Sequence, residues 1–141
     1  MNDARRRLWW HGMALFLLVL LTGLVETSFA NVRMGLAAHL EGVMNGTFLL
    51  ALGAVWPELR LSPKALAVTW WAVLYGTYAN WAVTTLAAVF GTGALSPVTA
   101  PGRQAEAWQE ALVQGGFMSV GVAIIAAAVL VLVGLRRGAT A

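Results

Sequence analysis

The chain has no cysteine among its 141 residues. That excludes disulfides, zinc–thiolate sites, iron–sulfur clusters and a thiol nucleophile. Charge is nearly as scarce: 11% of the residues are Asp, Glu, Lys or Arg, against 60% hydrophobic. An ordinary soluble domain is excluded by that balance. There are only two histidines, His11 and His39.

What is present is long apolar runs. Residues 8–25, 65–102 and 111–135 carry no charge over the roughly 20 residues that a bilayer span requires. Residues 42–56 reach that length if their helix starts near Met34 and takes in His39 and Glu41. Gly91, Gly93 and Pro97 end the third run near Phe90. The chain therefore reads as all-α, a single integral membrane domain of four helices in a bundle, over about residues 8–29, 35–56, 65–90 and 111–135. The first run is too long for a signal-peptide core, and "ETSFANVR" offers no small-residue cleavage site.

Four spans put both termini on one side. Arg5, Arg6, Arg7, Arg60, Lys64, Arg136 and Arg137 share that side and leave Arg33 and Arg103 opposite. The bias makes both termini cytoplasmic, in a bacterial inner membrane, with Trp9, Trp10 and Trp56 at the inner boundary. The net charge of +3 follows from this bias and from attraction to membrane lipid, without a nucleic acid partner.

Against this background "GLAAHLEGVMNG" (residues 35–46) stands out. At 1.5 Å per residue, His39 lies about 6 Å and Asn45 about 15 Å from the outer end of its helix, with Thr84 and Asn80 of the third helix at about 9 and 15 Å. Polar groups thus converge on the outer half, where intramembrane ionisable residues face the interior and mark function. Glu26 and Gln114 sit at helix ends, where a wet interface accounts for them.

Helical phase puts His39, Gly42, Gly46 and Gly53 on one face of the second span and Glu41 with Asn45 on another. The small pair Gly42-x-x-x-Gly46 admits a neighbouring helix, its usual use. It also admits a planar group such as haem b, with His39 as the iron ligand. His11 is the alternative ligand or an interfacial histidine; it differs from His39 in depth by roughly 18 Å, so both cannot ligate one haem within a chain. In the third helix, "WWAVLYGTYANW" forms two stripes, one with Trp71, Tyr75 and Tyr78 and one with Trp70, Thr77, Trp81 and Thr84. Either stripe can wall an aromatic pocket. Gly115, Ser119, Ala123 and Ala127 form a small-residue groove on the fourth helix, suited to packing or homo-oligomer formation. The preceding segment, "SPVTAPGRQAEAWQEA", reads as a turn-rich connector with a short amphipathic helix that can lid the polar half.

"WHGMALFLLVLLTGL", "RMGLAAHLEGVMNG" and "YGTYANW" resemble the hydroxylaminobenzene mutase family of bacterial nitroaromatic catabolism, over most of the chain. The resemblance implies isomerisation of an aryl hydroxylamine to an aminophenol, mainly ortho, with no external redox partner. It points to His11, His39, Glu41, Asn45, Tyr78 and Asn80. Chemistry then asks for a dry pocket and an activator of the leaving hydroxyl. Glu41 as a buried acid oriented by Asn45 is one version, with Asn80 and Tyr78 beside it. A haem on His39 is the other. Two rival classes remain open at this point: an exporter of aromatic cations like the small multidrug transporters, with Glu41 as its carboxylate, and a b-type cytochrome-like electron carrier.

Overall fold

A computed structural model describes residues 2–138. Four α-helices and two short 3-10 turns make up the chain, and there is no strand among the described residues. Helix α1 spans Asn2–Val25, α2 Val32–Val55, α3 Pro63–Phe90 and α4 Ala107–Gly138. The order and number match the apolar runs. The bounds differ where polar residues extend a helix: α1 takes in its arginines, and α4 starts at Ala107. The expected separate amphipathic helix before α4 is therefore simply its first turn.

Local chemistry explains the ends. Asn31 caps α2, its side chain accepting from Met34 N at 3.1 Å. Ser62 caps α3 ahead of Pro63, and proline suits a first helical position because its missing N–H would be orphaned there anyway. Gly91 ends α3 in the left-handed region, at φ 70°, where a side chain would be strained.

The helices alternate in direction. Gly53 of α2 lies against Trp9 of α1, and Arg60 N donates to Gly134 O of α4 at 3.1 Å. The arginines of α1, the 56–64 connection and the end of α4 therefore share one end, as the charge bias anticipates. We call it the basic end, and the opposite one the loop end.

The bundle is not closed. Helix α3 packs against α1, α2 and α4, whereas the backbone of α4 approaches neither α1 nor α2. Helices α1, α2 and α4 are long and apolar enough to cross a membrane, and α3 falls short on composition. Its position explains this: as the central helix it buries Thr69, Thr77 and Thr84 against protein, so those hydroxyls need not face an apolar exterior. Thr69 and Thr77 each return their proton to a carbonyl one turn back, and Thr84 Oγ1 lies 2.8 Å from the carbonyl of Asn80. Exposed Leu17, Leu20, Leu24, Met44, Val122, Ile125 and Leu132 give the outer surface the apolar character of a membrane protein.

Of the two aromatic stripes on α3, the one with Trp70, Thr77, Trp81 and Thr84 turns inward. Trp70, Thr77 and Thr84 are buried, and Trp81 Nε1 donates to Thr22 Oγ1 of α1 at 3.1 Å. Trp71 and Tyr75 lie outside. Part of the small-residue groove on α4 is spent on α3: Ser119 meets the Tyr75 hydroxyl at 2.7 Å and Ala127 is buried.

Candidate active site

Glu41 projects from α2 towards α3. There Thr84 Oγ1 donates to its Oε2 at 2.8 Å. Together with Asn80, these residues line a cavity of about 380 Å³ whose apolar walls are Met34, Ala37 and Phe117. Residues 95–99 roof it. The volume lies near the lower end of small-molecule sites, roughly 300–1,000 Å³. The walls exist because α4 stays away from α2, leaving a cleft that the 92–106 segment covers.

That segment is tied down. Asn31 Nδ2 donates to Thr99 O at 3.1 Å, Arg33 to Val98 O at 3.3 Å and Arg103 to Ala30 O at 2.9 Å. From the other side, the Glu110 carboxylate accepts the backbone N–H groups of Gly93, Ala94 and Ala105. A loop with its backbone groups satisfied in this way can sit over an apolar cleft. Residues 95–99 of that segment line the cavity, and Asn31, 2% exposed, joins the start of α2, the end of α3 and this segment, since its own N–H donates to Ala88 O at 2.9 Å.

His39 lies elsewhere. It sits between α1 and α2, with its ring over Gly23, where a Cβ would come within 2.6 Å of Nδ1. Nδ1–H donates to Val19 O at 3.0 Å. The two faces of α2 thus separate His39 from Glu41, as phase anticipates. Gly42 and Gly46 meet Val19 and the Gly12–Phe16 backbone of α1. A neighbouring helix occupies the glycine face, so no planar group can lie across it, and Gly42 and Gly46 leave the cofactor set.

His39 alone still fits a haem iron. With Nδ1 held by a carbonyl, the neutral ring keeps its lone pair on Nε2 and a fixed orientation, which is what an axial imidazole needs. No group of three His, Asp or Glu side chains suited to a metal ion occurs among the described residues.

Two further candidates are placed differently from expectation. Tyr78 does not reach the cavity: its hydroxyl donates to His11 O at 3.2 Å and lies 3.2 Å from His11 Nδ1. Trp10, Trp70 and Tyr78 surround the His11 ring edge to face. This pair fastens α1 to α3 and is separate from Glu41. Asn45 does not hold Glu41 either; its Nδ2 reaches Thr77 O at 3.4 Å. Thr84 takes the role expected of Asn45. Glu26 also departs from the wet-interface expectation, since its Oε2 is buried without a partner among the described residues. A second cavity of 390 Å³, between α3 and α4, has Tyr75 and Ser119 among aliphatic walls and no carboxyl or imidazole.

The family model for styrene oxide isomerase matches residues 4–136. The chain belongs to the styrene oxide isomerase family. Two curated relatives from Ectopseudomonas oleovorans are hydroxylaminobenzene mutases. HabB is 46% identical over 132 residues, covering 93% of this chain and 80% of the relative. HabA is 41% identical over 127 residues, covering 89% and 94%. No solved structure matches. The mutase resemblance drawn from the residues is thus borne out, and the family member described here is an isomerase. The exporter and electron-carrier readings find no support in these relatives.

Proposed function

We propose that this isomerase converts an aryl hydroxylamine into an aminophenol, mainly the ortho isomer, by moving the hydroxyl group within the substrate. The observation that carries the reading is the Glu41 carboxyl, braced by Thr84, on the wall of a roofed cavity with apolar sides. The substrate named for the mutase relatives and the epoxide named for the family have a common chemical feature. Each carries an oxygen next to an aromatic group, and each must break a bond to that oxygen heterolytically.

Met34, Ala37 and Phe117 suit the aryl ring, and Asn80 offers an amide to orient the hydroxylamine. Glu41 acts as general acid on the departing hydroxyl. In water the resulting cation is trapped by solvent, mostly at the para carbon. Under the 95–99 roof the released oxygen stays beside the ring and adds at the ortho carbon. His39 is the residue that would hold a haem b. Such a group, when bound, supplies an iron centre able to take an oxygen or nitrogen ligand. The enzyme sits in a bacterial inner membrane with its basic end, and so both termini, in the cytoplasm. A second copy of the chain covers the apolar outside of α4.

Turnover of phenylhydroxylamine by purified protein in oxygen-18 water, without reductant, tests the reading. Unlabelled ortho-aminophenol is expected. Substantial label in that product would mean a wet pocket and would sink the intramolecular transfer.

A further inference from the structure

We propose that residues 95–98 of the 92–106 segment rest on lipid, at the boundary between the headgroups and acyl chains of the outer leaflet. The proposal rests on the membrane reading of the helices and is independent of the chemistry in the cavity. The segment is built inside out. Leu95 is 58% exposed and Val98 77%, and Pro97 between them is exposed as well. Its polar neighbours are the buried ones: Thr92 is 0% exposed, with no partner for Oγ1 among the described residues, and Ser96 is 8% exposed. A lone exposed leucine is ordinary on a protein surface. Burying hydroxyls while leucine and valine stay outside is unfavourable in water, where the hydrophobic effect and the cost of polar burial both oppose it. Against an apolar exterior the first of those costs disappears.

The backbone at Leu95 points the same way. Its φ of 56° lies in the left-handed region, where a leucine is strained and glycine or asparagine is at ease. A leucine there that touched only water would carry the strain and the exposure together, and contact with acyl chains removes the exposure. The carbonyls nearby suit a site poor in water. Arg33 donates to Val98 O at 3.3 Å and Asn31 to Thr99 O at 3.1 Å, so neither needs a solvent partner. Arg33 and Arg103 are exposed and each spends one N–H on a carbonyl, which leaves guanidinium donors for lipid phosphates at that level. Trp108, 61% exposed and edge-on to Phe90, supplies an interfacial tryptophan. Past Ala100 the pattern reverts: Gly102, Arg103 and Gln104 are exposed, as in a turn that faces water. Leu95 and Val98 also line the 380 Å³ cavity, so these side chains stand between that cavity and the bilayer.

The test uses the lack of native cysteine. Leu95→Cys, Val98→Cys, Gln104→Cys and Val122→Cys are made singly in the full chain, and each thiol is labelled with an environment-sensitive fluorophore. The proteins are reconstituted into vesicles of phosphatidylethanolamine and phosphatidylglycerol. Two quenchers are compared: iodide on both sides of the membrane, and lipid spin-labelled near the headgroup end of its acyl chain. At 95 and 98 the lipid quencher should act at least about threefold more strongly than at 104, and iodide at least about threefold more weakly, as befits side chains sunk about 5–10 Å into the headgroup–acyl boundary. Val122, 71% exposed on α4, checks insertion. Iodide quenching at 95 and 98 equal to that at 104, with lipid quenching retained at 122, overturns the proposal and leaves the membrane reading intact. Iodide quenching at 122 sinks both. Shielding from both quenchers at 95 and 98 would mean that a second copy of the chain covers the roof, and it overturns the lipid contact as well.

Discussion

Replacing Gly42 by alanine adds one methyl group at the point where α1 and α2 lie closest. The new Cβ would fall on Val19 Cγ2, nearer than any real contact, with Val19 Cβ and Cγ1 also about it at 3.1 Å. Val19 has little freedom to move aside. It is fully buried, it belongs to the core that contains Leu15 and Leu49, and a β-branched side chain in a helix has essentially one rotamer. The backbone of α1 must shift instead. Overpacking of this kind costs about 1–3 kcal/mol, or a fall in melting temperature of roughly 4–12 °C for a chain of this size. The same shift moves Val19 O, the acceptor that orients His39, so activity should fall alongside stability if His39 matters. Gly115→Ala and Gly121→Ala are the controls, since nothing lies within 4 Å of either added Cβ. In a helix interior the change is neutral or gains up to about 1 kcal/mol. Thermal unfolding in detergent, followed by circular dichroism, measures all three. Val19→Ala in the Gly42→Ala background should recover stability, because it vacates the space that the methyl enters. Equal melting temperatures for Gly42→Ala and Gly115→Ala would refute the packing argument and reopen the glycine face to a flat ligand.

Other expectations concern the two faces of α2 and the lid. Glu41→Gln should lower turnover by about 10²–10⁴-fold at little cost in binding; a loss under about tenfold would make Glu41 a structural polar residue. His39→Ala should abolish any Soret absorption of the purified protein while His11→Ala keeps it, and the reverse outcome would move the iron ligand to the basic end. Asn31→Ala removes a helix cap worth about 0.5–2 kcal/mol and unties Thr99 from α2. It should lower the melting temperature and raise the para share of the product, and an unchanged isomer ratio would show that the 95–99 roof does not keep water out.

How much of this was legible depends on the range of the interaction concerned. The four helices follow from uncharged runs, and the end of α3 follows from Gly91. The separation of His39 from Glu41 follows from helical phase alone. Each of these is a local property. The inward stripe of α3 is not legible, because both stripes carry aromatics, and only tertiary contacts such as Trp81 to Thr22 and Thr84 to Glu41 distinguish them. Tyr78 and Asn80 come together through the resemblance that "YGTYANW" carries. Two positions along a helix turn a side chain by about 200°, and the Tyr78 hydroxyl is spent on His11, 67 residues away. Depth places Thr84 with the polar groups of the outer half, but a threonine in an apolar helix ordinarily satisfies itself on its own backbone. Its second partner on another helix is a tertiary fact. The same holds for Asn31: a cap is visible in sequence, but its contact with Thr99 is not.

The open arrangement of the helices links these points to the chemistry. A closed four-helix bundle would fill the space beside Glu41 with side chains from α4, and a carboxyl there would have no substrate to meet. Because the backbone of α4 runs along α3 and approaches neither α1 nor α2, the loop end keeps a cleft between α2 and α4. Of the polar groups of α3 in contact with it, Thr84 is hydrogen-bonded within the protein, and Asn80 lines the cavity beside it. The chain then covers that cleft with a segment held by three side-chain donors and by one carboxylate. In the reaction proposed above, a cation formed in such a place meets little solvent. On the proposed mechanism the ortho isomer depends on a gap in the helix packing with a roof, and the acid by itself would favour only the solvent-trapped product.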